Sequence, residues 1–241
     1  MKVEGLAEIS SPHERTTMYL LANGARLPVA HLPGWSEGMW EHGRAKPQAH
    51  EIAKVVRDAL SALATVDSLR RSAAADPTLS KVGRITRVEP QIAPALAAVQ
   101  RAQEQMAHLA VVAAAEERRV YTPKALARDD LVGGLLDQEL RNYARSRNPS
   151  QKGALIGEMA ADIRLLEAIV RAPIGLGTVN EYAGRLWREH VAKTHPEAPQ
   201  IAHLNEMVSW AGSLLPHLPQ HIASTEEIGG ERAEQLRRQL G

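Results

Sequence analysis

Residues 141–152 read RNYARSRNPSQK and hold the densest group of side chains with an evident chemical use. Arg141, Arg145, Arg147 and Lys152 fall together, with no acid between Glu139 and Glu158. Guanidinium forks suit phosphate oxygens, and Tyr143 could stack on a base. Arg141, Tyr143, Arg145, Arg147 and Lys152 are therefore the candidate nucleic-acid contacts. No recognisable binding motif accompanies them. A solvated helix end, where the dipole favours cations, is the simpler account.

A second surface lies in residues 31–44, HLPGWSEGMWEHGR. Trp35, Met39 and Trp40 on a Pro- and Gly-rich segment are candidate protein-interface residues, because Trp is favoured at binding hot spots. The simpler account has them sealing a hairpin against helices. His31, Glu37, Glu41, His42 and His50 lie nearby, but their spacing fits no helical H-E-x-x-H pattern. No metal and no cofactor is expected.

Catalytic constellations fare no better. Glu104 and His108 stand one helical turn apart, without a third group to complete a site. Glu189 and His190 are adjacent and point in different directions on a helix. Asp129 and Asp130 fit a helix start, where acids are favoured. The Gly175-Leu-Gly-Thr178 loop lacks the Lys and the preceding strand of a phosphate-binding loop, and no Gly-x-Ser-x-Gly elbow occurs. His217 and His221 are four apart, yet Pro219 between them argues against helical metal geometry. No catalytic residue is assigned.

Bulk composition narrows the classes further. The 241 residues carry 29 Lys and Arg against 28 Asp and Glu, so the overall charge gives no strong pull toward nucleic acid. Cys is absent, which removes disulfides, thiolate metal sites and thiol nucleophiles. Phe is absent as well, so the core must be built from Ala, Leu, Ile and Val. No apolar run reaches membrane-span length and no signal pattern opens the chain. The expected location is the cytoplasm or a particle assembled inside the cell.

The elements that must position these residues are mostly helical. Between Ala95 and Arg119 there is neither Gly nor Pro, and strong helix formers dominate. With Pro90 and Pro94 at its front, this stretch predicts a central helix of roughly 40 Å. Ile92, Leu96, Val99, Met106, Leu109 and Val112 form its apolar stripe. A helix over 48–71 turns Ile52, Val55, Val56, Ala59, Leu60 and Leu63 inward. Thr122-Pro123 predicts the start of the next, with Leu126, Leu131, Leu135, Leu140 and Tyr143 inward and a kink at Gly133-Gly134. Residues 150–171 predict one amphipathic helix, and two further helices follow to residue 215. Pro216 to His221 is expected to end the helical run. Near the N-terminus, Asn23-Gly24 between apolar runs predicts a β hairpin, with a further strand available in residues 3–9.

These readings converge on a mainly α fold: a multi-helix bundle around one long central helix, preceded by a short N-terminal β hairpin arm. The expected division is an arm at 1–46, a helical domain at 47–218 and a tail with a short helix at 219–241. The expected function is that of a non-catalytic structural or assembly protein making protein–protein contacts within a larger complex, such as a virus particle. Its partners would be protein subunits, its own or others, and no membrane. The alternatives are a helical accessory subunit that binds DNA or RNA through the basic patch, and an enzyme with an unrecognised site.

Overall fold

In a computed structural model, the described residues are 6–9, 16–22, 25–30, 45–171 and 178–223. The fold is mainly α, a helical bundle with a short N-terminal sheet. Strands β1 (Ala7–Ile9), β2 (Thr16–Leu20) and β3 (Arg26–Ala30) form an antiparallel sheet in that order. Leu20 pairs with Arg26 and Thr16 with Ala30, so the hairpin is present; its Asn23-Gly24 tip lies outside the described residues. Among the described residues eight α-helices follow: α1 (Lys46–Ala75), α2 (Lys81–Tyr121), α3 (Leu131–Ser146), α4 (Lys152–Ala161), α5 (Ile163–Arg171), α6 (Thr178–Thr194), α7 (Ala198–Leu214) and α8 (Leu218–Ala223).

The chain divides into two compact units, residues 1–114 with 202–241 and residues 115–201. The boundaries fall inside α2 and α7. In the first unit the sheet and α1 share a core. Tyr19, Leu21, Leu27 and Val29 are buried, as are Ile52, Val55, Val56, Ala59, Leu60 and Leu63. The fully buried carboxylate of Asp67 fixes the junction. It accepts from the Ala22 backbone at 2.6 Å and from Arg71 Nε at 2.9 Å, and Arg71 also donates to the Leu20 carbonyl. Arg70 closes the same unit from the other side by donating to the carbonyls of His221, at 2.9 Å, and Ile222. Those carbonyls end α8, where a cation both fills the vacant acceptors and opposes the dipole.

Helix α2 begins earlier than the prolines imply. Ser80 caps it, its hydroxyl accepting from Gly83 N at 3.1 Å, so Pro90 and Pro94 lie inside the helix. Both prolines are exposed, on the side where a carbonyl left without an intrahelical donor is reached by water. The opposite side buries Val88, Ile92, Leu96, Val99 and Met106 at helical spacing. The helical run also survives Pro216 and Pro219: a 3₁₀ turn over Leu215–His217 leads directly into α8. Proline lacks only a donor that the first turn of a helix leaves unused.

The second unit holds α3 to α6, with α5 packed on both α3 and α6. The expected single helix over 150–171 is broken. Asp162 adopts an extended backbone, and its Oδ1 accepts from Arg164 N at 2.9 Å, which starts α5 afresh. The break resets the buried register to Leu165, Leu166, Ala168 and Ile169 and leaves Ile163 exposed. On α6 the buried positions are Val179, Ala183, Trp187 and Val191, and the Trp187 indole donates to the Tyr121 carbonyl at 2.6 Å.

Candidate functional site

Helix α3 departs furthest from its expected packing, and it carries three of the five candidate nucleic-acid residues, with a fourth, Arg147, at its C-cap. It begins at Leu131, not at Thr122-Pro123. Asp130 is the N-cap, its Oδ1 accepting from Gly133 N at 2.8 Å. A Cβ at Gly133 would stand 2.8 Å from the Asp130 carboxyl carbon, so a larger residue there would require the Asp130 side chain to shift. The helix passes through Gly133 and Gly134 without ending.

The packed side of α3 is small and polar. Ala144 is buried, and Asp137 is only 7% exposed. Arg171 of α5 donates to Asp137 Oδ2, and Arg141 lies 3.5 Å from the same oxygen. Arg171 also meets Glu167 at 3.1 Å, and Arg141 reaches the Ala168 carbonyl at 3.4 Å. A buried carboxylate is costly unless paired and hydrogen-bonded, and these two arginines meet that requirement.

The opposite side is the apolar one, and it faces solvent. Leu131 is 74% exposed, Val132 78% and Leu135 64%, with Leu136 and Tyr143 also exposed. The expectation that Leu131, Leu135 and Tyr143 point inward is thus reversed. The reason is chemical: Asp137 and Arg141 share one stripe, and their bonds to α5 set which side turns in. Exposed aliphatic side chains standing singly are ordinary, but four within six residues on one helix form a patch.

The basic patch is drawn into the same architecture. Arg147 donates to Glu158 Oε1 at 3.0 Å and to the Tyr143 hydroxyl, and its guanidinium lies 4.4 Å from the Tyr143 ring centre. The Tyr143 hydroxyl in turn donates to Glu158 Oε2 at 2.8 Å. Arg145 is exposed and touches Asn142 Oδ1 at 3.3 Å. Arg141, Tyr143 and Arg145 therefore share α3, with Arg147 at its C-cap, but not one face. Lys152 opens α4, and its side chain lies outside the described residues. Trp35, Met39 and Trp40, and the Gly175-Leu-Gly segment, also lie outside them.

Other chemistry-bearing residues are placed as follows. Glu104 and His108 are both exposed on α2, and Glu104 accepts from Gln100 Nε2 at 3.3 Å. Glu189 and His190, although adjacent, line one cleft of about 420 Å³ with Lys193 and Met159, and His190 stacks on Trp187 with ring centres 5.7 Å apart. A groove of about 410 Å³ in the first unit is lined by Arg26, Trp210, His217 and His221 among others. Both histidines line this groove, His217 from the 3₁₀ turn and His221 from α8. Burial holds the His221 imidazole below its ordinary pKa, and the charges of His217 and Arg70 act in the same direction. Among the described residues no three His, Cys, Asp or Glu side chains gather as a metal-ligand set. Nor is any helix among them long and apolar enough to cross a membrane.

Comparison of the chain with protein-family models, with curated proteins and with solved structures finds no match to any of the three.

Proposed function

We propose that the protein is a non-catalytic assembly component that works through protein–protein contacts within a larger complex. The observation that carries this reading is the outward apolar face of α3, where Leu131, Val132 and Leu135 are each more than half exposed. Contiguous apolar surface of this kind marks contact sites in folded proteins. The residues that could have been aimed at phosphate give less support to a nucleic-acid role. Arg141 is engaged by Asp137, and Arg147 by Glu158. The two clefts described above are lined by mixed polar and apolar side chains.

The test is made in an extract of cells producing the full chain. The protein is expected to migrate well above its 26.3 kDa mass, and Leu135→Glu is expected to release it. Migration at the mass of one chain in the native extract would overturn the reading.

A further inference from the structure

We propose that the groove beside β3 is a binding site for a small aryl anion, a carboxylate or phosphate carried on an aromatic ring, with Arg26 and His217 meeting its charge and Trp210 its ring. The groove belongs to the first unit and α3 to the second, so the proposal does not rest on the assembly reading.

Four elements meet at the groove. Arg26 and Pro28 come from β3, Trp210 and Leu214 from α7, His217 from the 3₁₀ turn and His221 from α8. Its volume of about 410 Å³ falls within the range of small-molecule pockets. An extended peptide is the less suitable occupant. Strand β3 pairs with β2 alone among the described residues, but Pro28 at its centre has no N–H to offer an added strand. Trp210 is half-buried and presents a flat ring, and Leu214 and Pro28 add apolar surface beside it. Such a wall favours an aromatic body over a fully polar ligand.

The charge of the ligand follows from the titratable lining. Among the described residues that lining is Arg26, His217 and His221, three bases and no acid. The fold has thus gathered groups of one sign around one small space. His221 registers the result: burial disfavours its charged form first, and the charges of His217 and of Arg70 on α1 oppose it further. Like charges held close repel, and an anion placed between them offsets that repulsion. A cation would add to it, and a neutral ligand would leave it in place. An anionic group next to a ring therefore uses both kinds of surface that the groove provides.

The experiment is isothermal titration calorimetry on the purified full chain at low salt and about pH 6.5, where imidazoles begin to carry charge. The probes are phenyl phosphate and benzoate, with benzyl alcohol as the uncharged counterpart and inorganic phosphate as the ringless one. At least one aryl anion should bind one to one, with a dissociation constant of about 1 mM or tighter. Benzyl alcohol and inorganic phosphate should each bind at least roughly tenfold more weakly. The stronger of the two aryl anions tells phosphate from carboxylate. Arg26→Gln and His217→Gln should each weaken that anion roughly tenfold. Both positions are exposed, so the circular-dichroism spectrum should stay unchanged. Arg26→Lys should recover part of the loss, because it restores the charge without the fork. Binding of neither aryl anion overturns the proposal. So does benzyl alcohol or inorganic phosphate binding as tightly as the aryl anions, or an affinity indifferent to both Arg26→Gln and His217→Gln.

Discussion

Asp67 shows how one side chain can join two parts of a fold. Its carboxylate is fully buried and accepts bonds from the Ala22 backbone and from Arg71. Asp67→Asn keeps the shape but removes the charge that both donors address. The expected loss is about 2–4 kcal/mol, read as a lower urea midpoint at unchanged slope. The chain near Asp67 offers only Arg71, four residues on; the backbone group that makes the aspartate a junction, at Ala22, lies 45 residues away. His221 is a second case. Burial lowers its pKa in the folded chain, with His217 and Arg70 adding to the effect. The unfolded chain, with an ordinary value of about 6.5, then binds the proton more readily. The stabilisation from neutral His221 is therefore present above about pH 6.5 and is lost as pH falls through the lower folded value. His221→Gln is expected to flatten the dependence of stability on pH over that acidic window, as measured by chemical unfolding at a series of pH values.

At the scale of the element, hydrophobic periodicity located the helices better than it located their faces. In α1 and α2 the apolar stripe and the buried stripe largely coincide, with Asp67 of α1 the polar exception. In α3 the two stripes are opposed. Asp137 and Arg141 bind toward α5, and the leucines that should have led inward are turned out. A pattern that ranks residues by hydropathy cannot detect this, since the partner Arg171 lies 34 residues further on. Asp162 escaped notice for a similar reason: an N-cap aspartate in mid-pattern reads as one polar position of a continuing helix. Asp137→Ala should cost about 3–5 kcal/mol, since Arg171 and Arg141 would be left partly buried without their shared acceptor. A thermal or chemical unfolding curve of the variant beside the parent chain checks this, and Leu135→Ala serves as the control, expected within about 0.5 kcal/mol.

For the molecule as a whole, composition and periodicity were enough for the class: a mainly helical, aliphatic-cored chain with a β hairpin at its start. They could not show that residues 202–241 are grouped with the first 114 residues in one unit. Helical spacing says which side of a helix is apolar and nothing about which distant segment covers it. The candidate site was legible only as a cluster of arginines, and the more informative feature was the apolar side of the helix that carries them. That helix has one further property. Rolled half a turn about its own axis, α3 would sink four aliphatic side chains and lift Asp137 into water, an exchange that apolar burial alone would favour. Bonds from Arg141 and Arg171 to Asp137 resist that roll, because they are directional and are lost within a small rotation. The buried carboxylate thus works as a detent: it keeps a sticky surface on display that the chain would otherwise fold away.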